Sequence, residues 1–195
     1  MKKIWIVRHA ESTCQAGESD DAVNPELSER GKLQARRLKS IFSTMEFDLA
    51  LISPLRRAWQ TFELSGTQSR LMEFDSRMIE LDWGDEDKYR ARLPISTPDM
   101  AKPDRHDAWL LKDDERITQL VEDLIASDSE KILCFGHWGC LHKLLLSFMG
   151  ATLEDDNFRA TLDNASVSLL EVDQKGFRCL RYWNNRSHVS DLLDI

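Results

Sequence analysis

An α/β fold is predicted from three observations. Apolar strand-like runs alternate with segments of helical period along the 195-residue chain. Several of those runs, such as Ile4–Val7 and Ile132–Phe135, are apolar throughout, as in strands covered on both faces. The last two runs follow one another across a short turn, which suits an antiparallel pair. The expectation is a three-layer sandwich whose central sheet is mostly parallel, with an antiparallel edge.

Each element has its own reason. Lys3–Val7 is a strand. Ser28 to about Met45 has helical spacing in Ala35, Leu38, Phe42 and Met45; Ser28 suits the N-cap, and Gly31 weakens the first turn. Leu49–Ile52 reads as a buried strand. Pro54 opens a helix to about Leu64, taking a first-turn position that needs no N–H. Leu71–Phe74 is a short strand. Ile117, Leu120, Val121, Leu124 and Ile125 mark an amphipathic helix. Lys131–Phe135 is a strand, and Leu141, Leu144, Leu145, Phe148 and Met149 form a second helical stripe. Ser166–Val172 and Phe177–Trp183 are strands joined by the turn "DQKG".

Residues 81–105 break this order. They hold three prolines, many charges and no sustained period, and read as an insertion or lid. The whole of 1–195 is otherwise expected to be one domain.

Composition excludes several functions. A net charge of −8 argues against nucleic acid as a partner, which needs a basic surface, but permits a locally positive pocket. No run is long enough for a membrane span, and the apolar part of "MKKIWIVRHAES" is too short for a signal peptide. Cys14, Cys134, Cys140 and Cys179 form no C-x-x-C pair and read as reduced thiols of a cytoplasmic protein. The oligomeric state is not legible.

In parallel sheets the site lies beyond the carboxyl ends of the strands. Three segments bring polar residues there: Arg8-His9, "SPLRRAWQT" (53–61) and Gly136-His137-Trp138-Gly139. Two histidines and a pair of arginines should therefore meet at one mouth. Arginine forks suit phosphate oxygens, helix N-termini add donors, and a neutral imidazole is a nucleophile at pH 7. With no Gly-rich phosphate loop and no carboxylate cage for magnesium, the set fits phosphoryl transfer through a histidine, with no metal and no cofactor.

These motifs carry a resemblance. "VRHAES" resembles the Arg-His-Gly-Glu-Ser/Thr signature of the histidine phosphatase superfamily, the phosphoglycerate mutase-like proteins. "NPELSERGKLQA" (24–35), "SPLRRAWQT", "GHWGCL" (136–141) and "LDNASVSLL" (162–170) resemble its later motifs, in family order. The resemblance implies a phosphoglycerate mutase-like fold and a phosphatase acting on a small phosphorylated substrate, with a phosphoprotein also possible. His9 would accept the phosphoryl group. Arg8, Arg57 and His137 would hold its oxygens, Arg57 being selected over Arg56 because it directly precedes alanine. Glu80 would protonate the leaving oxygen and then activate water; Asp82, Asp85, Glu86 and Asp87 are alternatives for that role. Gln15 stands where the family often has asparagine and would be a secondary phosphate contact.

Ala10 replaces the signature's glycine. Trp138 replaces a frequent glycine or asparagine and would either narrow the pocket or stack on a substrate ring. His106 and His188 read as surface residues, and Trp5 and Trp109 as packing. His142, five residues from His137, should point away from it. Two other functions fit the same motifs: a phosphoglycerate mutase, and a catalytically silent protein that binds phosphorylated ligands.

Overall fold

A computed structural model describes residues 1–81, 113–151 and 159–192. The predicted excursion lies outside the described residues except for Leu81, as do His106 and Trp109. The six strands described are β1 (Lys2–Arg8), β2 (Glu46–Ile52), β3 (Gln68–Phe74), β4 (Lys131–Gly136), β5 (Val167–Val172) and β6 (Arg178–Asn185). The helices are α1 (Glu29–Arg37), α2 (Lys39–Phe42), α3 (Arg56–Ser65), α4 (Asp113–Ala126) and α5 (Trp138–Met149), with short 3-10 turns at Ser76–Met78 and Ser187–Leu192.

The strands form one sheet in the order β3-β2-β4-β1-β5-β6. β1, β2, β3 and β4 are parallel; β5 runs antiparallel to β1, and β6 to β5. The predicted mixed sheet, with its antiparallel edge, is the one observed.

Alternation along the strands builds two cores. Ile4, Ile6, Ile132, Cys134, Leu170 and Val172 face α4 and α5, against Leu120, Leu124, Leu141 and Leu144. Trp5, Val7, Leu133, Phe135, Val167 and Leu169 face Leu38 and Phe42, with Trp59 and Phe62 packed beside them. A sheet covered on both faces cannot alternate apolar with polar, which is why its strands read as continuous apolar runs. Each fully buried Leu or Ile contributes about 1.5–3 kcal/mol relative to exposure. Trp5 lies in this core, edge-on to Phe47 at 5.2 Å.

Some boundaries differ from the sequence reading. The 28–45 helix is divided. Leu38 N–H bonds the Ala35 carbonyl at 3.2 Å, a tighter i→i−3 link, and a second short helix follows. Both pieces keep near-helical spacing, so the apolar stripe runs through the break unchanged. Pro54 lies before α3 rather than in its first turn; Leu55 is the N-cap, with extended φ −69° and ψ 134°. β3 begins three residues early because an edge strand half open to solvent carries a weak apolar pattern. Met149 and Phe177 are exposed rather than packed.

Register aligns the strand ends. Arg8 lies opposite Gly136, Ile52 opposite both Phe135 and Phe74. The pairing runs one residue further: His9 N–H donates to the Gly136 carbonyl at 2.9 Å and Ser53 N–H to the Phe135 carbonyl at 2.9 Å. Residues directly after β1, β2 and β4 thus leave the sheet side by side.

Candidate active site

His9 is the first residue beyond β1 and is 3% exposed; His137 is the first beyond β4 and fully buried. Their ring centroids are 5.0 Å apart. His9 Nδ1 lies 2.7 Å from the Ala10 carbonyl oxygen. A carbonyl can only accept, so Nδ1 carries the proton and Nε2 keeps its lone pair. Arg57 Nε–H donates to that Nε2 at 3.3 Å, as this tautomer requires. Burial first, and then the Arg57 and Arg8 charges, hold the His9 pKa well below its ordinary value. The imidazole is therefore neutral at pH 7.

His137 is held differently. Ser53 Oγ lies 2.8 Å from its Nε2 and also accepts from Leu55 N–H at 3.3 Å. Its other ring nitrogen, Nδ1, is buried without a hydrogen-bond partner among the described residues. Burial, followed by the Arg57 charge, also pushes the His137 pKa well down.

Arg57 lies on the first turn of α3. It is buried and its Nη1 donates to the Val23 carbonyl at 2.9 Å, whereas Arg56 is exposed. Arg8 is partly buried and donates through Nη1 to the Leu162 carbonyl, while its Nε is buried without a partner. Burial lowers the Arg8 pKa, opposed by the charges of Glu80 and Asp163.

Glu80 follows the 3-10 turn after β3. Its Oε1 accepts from Leu81 N–H at 2.9 Å and from Cys140 N–H at 3.2 Å, in the first turn of α5. Gly139 makes this approach possible: a Cβ there would stand 2.7 Å from Oε1. Burial raises the Glu80 pKa, against the pull of those amides and of Arg57 and Arg8. The alternative carboxylates Asp82, Asp85, Glu86 and Asp87 lie outside the described residues.

Gln15 is exposed. Its Oε1 accepts from Ser12 N–H and from Asn164 Nδ2, both at 3.1 Å. Asn164 also donates to the His9 carbonyl at 3.0 Å, and Ala165 N–H to the same oxygen at 3.2 Å. Ala165 takes φ 57°, a left-handed conformation that a non-glycine residue adopts at a cost. The loop before β5 thereby fastens the backbone of His9.

The remaining motif residues are scaffolding. Thr61 Oγ1 accepts from Ala10 N–H at 3.0 Å and donates to the Arg57 carbonyl at 2.6 Å. Gln34 Oε1 accepts from Glu11 N–H at 2.9 Å. Buried Glu11 takes the Ser28 hydroxyl at 2.7 Å and pairs with Arg30. Gly31, an apparent weakness in α1, is where the helix meets this loop: a Cβ would fall 1.9 Å from the Glu11 carbonyl oxygen.

Residue type had not assigned roles to Ser53, Thr61 and Asn164, although each stands inside a quoted motif. Trp138 donates from Nε1 to the Ala160 carbonyl at 3.1 Å and stacks on His142 at 5.9 Å, 9° from parallel. His142 Nδ1 accepts from Ala160 N–H at 3.2 Å and does not join His137. His188, expected at the surface, is partly buried in the last 3-10 turn, which packs on α1; burial lowers its pKa. Among the described residues no disulfide joins the four cysteines, no cluster of three or more His, Cys, Asp or Glu could hold a metal, and no helix is long and apolar enough to cross a membrane.

The Histidine phosphatase superfamily (branch 1) matches residues 4–185, a span that contains every site residue above. The chain belongs to this superfamily. Among its relatives, Adenosylcobalamin/alpha-ribazole phosphatase of Escherichia coli is 29% identical over 206 residues, covering 95% of this chain and 97% of that protein. Phosphoserine phosphatase 1 of Hydrogenobacter thermophilus is 37% identical over 86 residues, 43% of this chain and 41% of that one. The solved structure of YhfR from Bacillus stearothermophilus superposes with a TM-score of 0.72 at 22% identity, covering 97% of this chain and 100% of that one. In this member of the superfamily the carboxyl ends of the central strands β1 and β4 lead into the two imidazoles, and the helices that start beside them carry Arg57 and the amide that meets Glu80.

Proposed function

We propose that this protein is a phosphatase that hydrolyses phosphate monoesters through a phosphohistidine on His9, without a metal ion. The observation that carries the reading is the hydrogen-bonded tautomer of His9, with Nδ1–H on the Ala10 carbonyl and the Nε2 lone pair beside the Arg57 guanidinium.

Nε2 attacks phosphorus, forming an N–P bond as the ester P–O bond breaks. The transition state spreads charge over three equatorial oxygens, so fixed donors matter more than covalent chemistry. Arg8, Arg57 and His137 would supply them, with Gln15 as an outer contact. Glu80, whose pKa burial raises, gives a proton to the leaving oxygen. The resulting carboxylate then takes a proton from the water that attacks the phosphohistidine. Inorganic phosphate leaves, and both His9 and Glu80 return to their starting forms. Positioned acid–base groups contribute roughly 10²–10⁴-fold.

The names of the relatives support hydrolysis over mutase transfer and make phosphoserine and α-ribazole phosphate the first substrates to try. The test is phosphate release from those two, from 3-phosphoglycerate and from p-nitrophenyl phosphate, with EDTA present. Release that disappears in His9→Ala, with an acid-labile phosphoenzyme trapped only in the native protein, is expected. Isomerisation of 3-phosphoglycerate without phosphate release would favour the mutase. Binding of phosphorylated ligands with no turnover would favour the silent protein, and reversal of EDTA inhibition by one metal would refute the metal-free mechanism.

A further inference from the structure

We propose that Arg116 of α4 is a positioning residue for the acid–base step, holding the backbone that carries Glu80 and thereby setting where its carboxyl meets the leaving oxygen. The proposal rests on the reading of Glu80 as the acid.

Arg116 is 2% exposed and is among the largest fully buried side chains of the protein. Its Nη1 donates to the carbonyls of Arg77 at 2.8 Å and Ile79 at 3.1 Å, and its Nη2 to the carbonyl of Glu80 at 3.2 Å. These acceptors lie in the short stretch that runs from the 3-10 turn after β3 to Glu80. A buried cation is costly unless its donors are used, and an apolar side chain of similar volume often fills such space at no loss of stability. An arginine there is best explained by what it orders: its planar fork fixes several acceptors at once.

A second contact on the same helix supports this. Asp123 stands seven residues on, two helical turns along the same face. It accepts from Arg77 Nη1 at 2.8 Å, and Arg77 also forks onto Asp75 through Nε at 3.0 Å and Nη2 at 2.7 Å. α4 therefore grips the acid-bearing segment at the turn and again at Glu80. From the other side, the Cys140 amide of α5 meets the carboxyl itself. The acid is suspended between two helices, and Arg116 holds its main chain without contacting the reacting atoms.

The test is kcat/KM across aryl phosphates whose phenols range from p-nitrophenol to phenol, for the native protein, Arg116→Met, Arg116→Lys and Glu80→Gln, with thermal melts of each. kcat/KM reports the phosphoryl transfer to His9, where leaving-group protonation matters. Arg116→Met should lose roughly 10–100-fold with phenyl phosphate, as expected of a misplaced group. It should lose only about 3-fold or less with p-nitrophenyl phosphate, which needs little protonation. Arg116→Lys should recover part of the loss; should the methionine variant fail to fold, the lysine variant, with its charge kept and its fork removed, should still steepen the leaving-group dependence. An equal loss across the series, or no loss, refutes the proposal. If Glu80→Gln steepens the dependence and the Arg116 variants do not, the proposal alone fails. If Glu80→Gln does not steepen it, the acid assignment fails and the proposal with it.

Discussion

At Glu80 two demands conflict: burial favours the neutral acid, while two amides and two arginines favour the carboxylate. Burial prevails, and the folded pKa lies above the ordinary 4.5. A carboxyl whose pKa rises on folding binds its proton more tightly in the native state. Its contribution to stability is therefore full at low pH and is lost as pH rises through the folded value. Glu80→Gln should accordingly lower kcat/KM for phenyl phosphate by roughly 10²–10⁴-fold, while the melting temperature at pH 7 stays level or rises. A marked fall in melting temperature would mean that Glu80 has a structural role instead. Gly139→Ala tests the same spot from the other side. The new Cβ meets the end of a flexible side chain rather than backbone, so the protein should fold, with Glu80 displaced and leaving-group dependence steepened.

At the scale of elements, α1 is built around one contact. Ser28 accepts from Gly31 N–H at 3.0 Å while its hydroxyl bonds Glu11, so the helix cap and the loop after His9 share one side chain. Ser28→Ala should cost about 1–2 kcal/mol, a typical N-cap loss, read from chemical denaturation. Gly31→Ala should be far worse. Its Cβ would fall on the Glu11 backbone carbonyl, which cannot turn aside without moving the loop that carries His9. Loss of activity together with a large fall in melting temperature is expected; a soluble, active protein would show that α1 can slide on this loop. The same contact explains why a glycine stands there despite the cost that helix propensity assigns to it in the first turn. Periodicity registers the side chains that pack, not the place where one must be absent. Likewise it passed over the break at Leu38, because the buried stripe continues through it.

Across the whole molecule, burying two neutral histidines couples folding to pH. Each has a folded pKa well below the ordinary 6.5, so the unfolded chain takes up these protons first. Their contribution is present above about 6.5 and is lost as pH falls below it. The melting temperature should drop between pH 7.5 and pH 5.5, and less so in a His9→Phe, His137→Phe double variant; an equal drop would assign the effect to other groups. Under the proposed mechanism, protonation of His9 should set the acid limb of activity, well below pH 6.5, and ionisation of Glu80 the basic limb for substrates with poor leaving groups.

Much of this architecture was legible in the primary chain because its signals are local. Apolar runs mark strands closed on both faces, and Arg8-His9 and Gly136-His137 stand immediately after two of them. Convergence was not local. It arises from sheet register, which sets Arg8 beside Gly136 across more than 120 positions of chain and draws Ser53 and Asn164 to the two histidines. Nor could spacing reveal the tautomer of His9, the reach of the Cys140 amide to Glu80, or the grip of Arg116 on three carbonyls. The tautomer depends on how the His9 ring turns onto its neighbour's carbonyl, and the other two on distances of about 3 Å between elements far apart in the chain; hydrogen bonds weaken so steeply with geometry that packing sets all three.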